Sequence, residues 1–247
     1  MHVDWSIRAL EAGKHVLCEK PLSGSSTEVA RAFDAAERAG RFLMEAFMYR
    51  HNPQTTRLAA LLRAGAIGTA RILRASFSFP LGDPTDPRML ADLEGGSLMD
   101  VGCYCVNAAR FLLGEPVRAS GEQILGPGGV DVAFAGVLAF AGGVVAHFDS
   151  GLLFPSVELA IYGDEGSLHV ADPWQCRRAG IERRSLAGDC ESIAIEAADS
   201  YGLQLDDLSA AIRGRHEPLL GRADSAGQAR AIEALYASAA EHRVVTL

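Results

Sequence analysis

Three residues have types that suit one another for proton chemistry: Lys20, Asp100 and Tyr104. Lys20 stands in "VLCEKP", directly after a short apolar run and before Pro21, whose ring restricts the backbone. Asp100 and Tyr104 lie four apart in "GGSLMDVGCYCVNAARFLLG", on one face of a helix expected to start after Gly95-Gly96. A phenol normally ionises near ~10, and an ammonium beside it favours the phenolate. Such a tyrosine can take a proton from an alcohol or return one to a carbonyl. Each residue also has a plainer role open to it. Lys20 can be a solvated charge at a strand end, Asp100 a helix-start carboxylate favoured by the dipole, and Tyr104 a core aromatic.

Lesser candidates surround this set. Arg50 and His51 follow "EAFMY" at a second strand end, where they either meet substrate or phosphate or serve structure. His147 and His169 fall inside strands and are read as structural, and Arg177-Arg178 and Arg183-Arg184 as a solvated rim. Cys103 and Cys105 form a C-x-C with no second Cys/His pair at ligand spacing, so no metal site is expected.

The elements that must position these residues follow from periodicity and turn signals. "MHVDWSIRALEAGKH" reads as an amphipathic helix stopped by Gly13, followed by a strand over 15–18. Ser26 or Thr27 caps a helix over 28–40, and "RFLMEAFMY" is a second short apolar strand. This alternation is that of a parallel α/β sheet, of which only the second half is present. Beyond it, Pro53 opens a helix closed by Gly65 and Gly68, and "ARILRASFSF" alternates as a strand. "PLGDPTDPRMLADLEGG" is too long for a simple connection and is a candidate functional loop. After the Asp100 helix, "VRASGEQIL", "DVAFAGVLAF", "GVVAHFDSGL", "SVELAIYG" and "GSLHVAD" succeed one another across glycine turns, as in an antiparallel meander. Helices over 200–213 and 223–241 and a terminal "RVVTL" strand complete the chain. The expected fold class is α/β followed by α+β: half of a Rossmann-type unit over residues 1–50, then residues 51–247 on an open, mainly antiparallel sheet.

Composition narrows the partners. Of 247 residues, 49% are apolar and 22% charged, as in a soluble globular protein. The net charge of −8 and the lack of a basic tract argue against nucleic acid as partner. No apolar run approaches the ~20 residues of a membrane span. Five cysteines, odd in number and mostly in apolar segments, indicate a reduced, cytoplasmic setting.

"AGKHVLCEKPL", "EAFMYRHNPQ" and "GGSLMDVGCYCVNAARFLLG", in this order and with "YGLQLDDLSAAIRG" near the end, resemble the Gfo/Idh/MocA oxidoreductases. The similarity runs over nearly the whole chain and is nearest to the dimeric dihydrodiol dehydrogenase, xylose dehydrogenase and glucose–fructose oxidoreductase branch. The resemblance implies hydride transfer between NAD or NADP and a sugar, polyol or trans-dihydrodiol. It implies Lys20, Asp100 and Tyr104 as the catalytic set, with Tyr104 the proton donor and acceptor. On the cofactor side it implies His2, Trp5, Glu19, Lys20 and Pro21, and on the substrate side Arg50, Asp100 and Trp174, the last in "DPWQC" with a packing role as the alternative. The Tyr at position 104, where other branches carry His, supports the sugar and dihydrodiol branch. A homodimer through the antiparallel sheet is expected.

The chain departs from the family pattern at its start. No G-x-G-x-x-G precedes a helix, and His2 and Trp5 resemble the family's H-x-x-W with only Met1 before it. The expectation is an N-terminally truncated fragment lacking ~60 residues, the size of two βαβ units. The alternative from another class is a non-catalytic relative that senses a ligand through its sheet.

Overall fold

Apolar residues at helical spacing fold the first 45 residues into two helices around a short strand pair. In the computed structural model, which describes residues 1–247, α1 (His2–Glu11) buries Val3, Ser6 and Leu10. Strand β1 (Val16–Cys18) leads through the Lys20 loop to α2 (Ser26–Ala39). The chain leaves α2 at Gly40, whose left-handed φ of 60° favours glycine. Strand β2 (Leu43–Glu45) then pairs in parallel with β1, Val16 opposite Leu43 and Cys18 opposite Glu45. Both strands therefore end side by side. A cluster containing Leu10, Leu22, Phe33 and Leu43 packs this unit together.

Asn52 caps α3 (Pro53–Arg63), its side chain accepting from Gln54 N at 2.9 Å. The remaining strands form one nine-stranded sheet: β3 (Ala70–Ser78), β4 (Pro116–Leu125), β5 (Asp131–Phe140), β6 (Val145–Gly151), β7 (Ser156–Gly163), β8 (Gly166–Val170), β9 (Gly180–Ser185), β10 (Cys190–Ala194) and β11 (Val245–Thr246). Their order is β10-β9-β8-β7-β3-β6-β5-β4-β11. The expected meander is interrupted, because β3 inserts between β6 and β7, parallel to the first and antiparallel to the second. The β9–β10 hairpin escapes a sequence search because both of its faces are largely polar and only Ile181 is buried in it.

One face of the sheet is covered by α4 (Cys103–Leu113) and α6 (Arg222–Glu241), with Phe134, Leu138 and Phe148 packed against Ile232 and Leu235. Each such side chain contributes ~1.5–3 kcal/mol of burial. α6 also touches α2 and donates Ala229 to the smaller cluster, joining the strand pair to the sheet. α5 (Ser200–Ile212) packs near residues 48–51. The opposite sheet face is open, with Ile72, Ile124 and Val137 exposed on it. No helix is long and apolar enough to cross a membrane.

Candidate active site

The site forms where β1 ends. After Cys18 the chain passes exposed Glu19 and half-buried Lys20 into a cis Lys20–Pro21 bond. His2 lies close, its Nδ1 2.8 Å from the Pro21 carbonyl oxygen. Leu22 N donates to Glu45 Oε1 at 2.8 Å, so the end of β2 holds the loop that carries Lys20. Glu45 is buried, its Oε2 has no hydrogen-bond partner, and burial pushes its pKa up to about 7.

Asp100 arrives from the other side. The helix read as continuous from Gly96 to Gly114 instead begins with a π-turn over Leu98–Gly102 and becomes α-helical at Cys103. A π-turn shifts carbonyl bonding by one residue and is common at functional sites. Its start is held by Asp131, whose Oδ2 accepts from Leu98 N and Ser97 Oγ, each at 2.7 Å, and whose Oδ1 accepts from Tyr236 OH at 2.8 Å. Gly96 is required here: its φ is 115°, and a Cβ would stand 2.2 Å from Asp131 Oδ1.

Lys20 Nζ donates to the Asp100 carbonyl oxygen and lies 3.2 Å from Asp100 Oδ1. Burial works against its charge, yet its pKa is raised overall. The nearby Cys103 thiol is itself pushed up to about 12 by burial and is neutral at physiological pH, so Asp100 is the partner that keeps Lys20 cationic. Asp100 Oδ2 lies buried without a hydrogen-bond partner, 3.7 Å from Arg88 Nη1.

Tyr104 sits in an aromatic nest, its ring 5.4 Å from Phe47, 5.4 Å from Phe77 and 6.0 Å from Trp174. Its hydroxyl donates to Met48 Sδ at 3.6 Å. Lys20 Nζ faces the ring, 5.0 Å from its centroid. The expected drop of the phenol toward neutrality is corrected here. Burial raises the Tyr104 pKa well above the usual phenol value, and Lys20 is engaged with Asp100 instead. At neutral pH Tyr104 is a protonated donor.

The other sequence candidates divide. Trp174 joins the nest, stacked on Phe77 at 5.8 Å, its Nε1 donating to Ser76 O at 3.0 Å. Trp5 is 63% exposed on α1 beneath Arg8. Arg50 is not brought to Lys20: it is buried, with Nη1 3.1 Å from Asn107 Oδ1 and 3.2 Å from Asp224 Oδ2, over the Phe111 ring. The His51 side chain is tucked beside Asp207 in a half-buried residue, and burial lowers its pKa. Sequence reasoning passed over Glu45, Asp131, Met48 and Arg88. Glu45 had a signal, as the one acid inside the apolar run "FLMEAFM"; Asp131 had none.

The geometry fits one end of a nicotinamide nucleotide. An ammonium has three protons to donate, Lys20 has two acceptors in the protein, and Asp100 Oδ2 is an acceptor without a donor. Residues 1–47 match the oxidoreductase family model with an NAD-binding Rossmann fold, and residues 55–169 match the GFO/IDH/MocA C-terminal domain. D-xylose 1-dehydrogenase (NADP(+)) 2 of Haloferax volcanii is 36% identical over 252 residues, covering 100% of this chain and 77% of that protein. Trans-1,2-dihydrobenzene-1,2-diol dehydrogenase of Xenopus laevis is 34% identical, over 69% of this chain and 53% of its own. The aldose-aldose oxidoreductase of Caulobacter crescentus, solved with glycerol, superposes with a TM-score of 0.93 at 32% identity, covering 100% of this chain and 76% of that one. The chain belongs to the GFO/IDH/MocA oxidoreductases.

Proposed function

We propose that this chain catalyses NAD(P)-linked interconversion of a hydroxyl and a carbonyl on a sugar, polyol or trans-dihydrodiol, with Tyr104 as proton donor and acceptor. The observation that carries it is a buried phenol whose only hydrogen-bond partner is a thioether sulfur, beside the Lys20–Asp100 pair. A thioether is a weak acceptor, so the Tyr104 proton passes to an incoming substrate oxygen at little cost. The nicotinamide, when bound, gives or takes the hydride. Lys20 would hold the ribose end of the nucleotide, with His2 and Glu19 flanking it, while Asp100 fixes the ammonium and orients the substrate hydroxyl. Trp174 and Phe77 pack against the Tyr104 ring and fix its orientation. Residues 1–50 serve the cofactor and residues 51–247 the substrate and assembly. No observation favours the ligand-sensing alternative.

Replacing Lys20 with Met tests the assignment in protein made from the native gene. The expected result is weaker nucleotide binding by fluorescence titration together with a lower kcat. Unchanged affinity and turnover would remove Lys20 from the site.

The open sheet face pairs with a second copy about a two-fold axis. It mixes Arg74, Arg118, Glu122 and Glu158 with exposed Ile72 and Val137, a pattern able to match its own rotated image. Sedimentation at micromolar concentration should give a dimer, and a monomer would exclude this surface. The unpaired state of all five cysteines is in keeping with a cytoplasmic location.

A further inference from the structure

Beside the Tyr104 nest opens a cleft of about 770 Å³ whose wall includes Phe77, Phe79 and Trp174 and whose lining includes Arg88, Arg177 and Arg178. Phe77 and Trp174 touch the Tyr104 ring, so the cleft adjoins the reacting centre. Three arginines line it against one acid, Asp172, in a chain of net charge −8.

The charges are not equally free. Arg88 is held by Asp86, Nη2 to Oδ2 at 2.7 Å and Nε to Oδ1 at 2.8 Å, and leans toward Asp100. Asp172 is committed to backbone: Oδ2 accepts from Arg177 N at 2.9 Å and Arg178 N at 3.1 Å, and Oδ1 from Gln175 N at 3.3 Å. The guanidinium groups of Arg177 and Arg178 pair with no carboxylate and stand exposed at the mouth.

The turn that presents them is built. Cys176 adopts a left-handed φ of 55°, which a non-glycine residue holds only where its surroundings impose it. Gln54 supplies part of that support, its Nε2 donating to the Asp172 carbonyl oxygen at 2.9 Å and its Oε1 accepting from Gly180 N at 2.8 Å. A buried carboxylate, a buried amide and a strained residue thus converge on a turn whose outward product is two adjacent unpaired arginines.

We propose that the substrate is a sugar bearing an anionic substituent, a phosphate or a carboxylate, which Arg177 and Arg178 bind at the cleft mouth. Guanidinium groups match both anions in geometry and charge. The aromatic wall suits the apolar face of a sugar ring, while the hydroxyl or carbonyl to be converted reaches Tyr104. The inference rests on the oxidoreductase reading only for which end of the substrate reacts.

Protein from the native gene is titrated by calorimetry with glucose, glucose 6-phosphate and glucuronate, and nicotinamide-linked turnover of each is followed at low and high NaCl. The expected result is a kcat/KM for one of the anionic sugars ~10-fold or more above that for glucose, shrinking with salt. The phosphate and carboxylate arms show which anion is preferred. In the Arg177→Ala/Arg178→Ala double variant that advantage is lost, a ~10–100-fold change, while glucose kinetics stay within ~2-fold. An Arg177→Lys/Arg178→Lys variant keeps the charge and restores part of it. Equal handling of all three sugars, or an equal loss for all three in the Ala variant, would overturn the proposal. Arginine-dependent anion binding without turnover of any sugar would instead overturn the oxidoreductase reading and leave this one standing.

Discussion

Glu45 gives the site a pH signature that a single substitution isolates. Its carboxyl is buried beside Leu22 N, Ser225, Asp224 and Arg110, and burial raises its pKa from 4.5 to about 7. The folded protein therefore holds the Glu45 proton across a window in which the unfolded chain has released it. Stability tied to this proton is fully present below about 4.5, declines as pH rises, and is gone above about 7. At ~1.36 kcal/mol per unit, a rise from 4.5 to about 7 amounts to about 3 kcal/mol. Glu45→Gln keeps an oxygen for Leu22 N and removes the titration. Urea unfolding of both proteins from pH 4.5 to 8 should show the variant gaining about 3 kcal/mol on the wild type over that range. The comparison cancels Asp131, whose carboxyl burial also raises, because it titrates in both proteins. Parallel stability curves for the two proteins would refute an uncharged, buried Glu45 behind the Lys20 loop.

Two further substitutions separate positioning from packing. Asp131→Ala leaves Leu98 N and Tyr236 OH without their acceptor and Ser97 Oγ with only Ser150; a loss of about 3 kcal/mol is expected in denaturant unfolding, with kcat reduced in the folded fraction because the Asp100 turn loosens. Wild-type kcat in that variant would show that the turn does not depend on Asp131. Arg50→Met strips a buried cation from Asp224 and Asn107 and should cost roughly 3 kcal/mol of stability with little change in KM. A large rise in KM without loss of stability would return Arg50 to the substrate.

The candidate site was legible where a residue type is odd for its surroundings. A lysine and proline closing an apolar run marked Lys20, and the Asp100–Tyr104 spacing survived the change from α-helix to π-turn because both registers leave residues four apart near one face. What could not be read depends on distant contacts. Nothing near Asp131 in sequence says that it caps a turn more than thirty residues earlier, and β3 alternates like any strand although it pairs with β6 and β7. Arg50 depends on distant contacts in the same way. Its place after β2 fits a substrate contact, but Asp224, which pairs with its charge, and Asn107, whose amide oxygen accepts from it, lie on helices far along the chain. Arg177 and Arg178, read as a solvated rim, are exposed as expected, but their place at the mouth of a cleft beside Trp174 depends on the fold.

The proton path through Tyr104 is the central claim, and Tyr104→Phe tests it most directly. Phenylalanine keeps the ring contacts with Phe47, Phe77 and Trp174 and removes only the hydroxyl now resting on Met48. In protein from the native gene, kcat should fall by ~10²–10⁴ in both reaction directions, while the nucleotide dissociation constant and the unfolding midpoint stay near wild type. Wild-type turnover in the Tyr104→Phe protein would contradict the account.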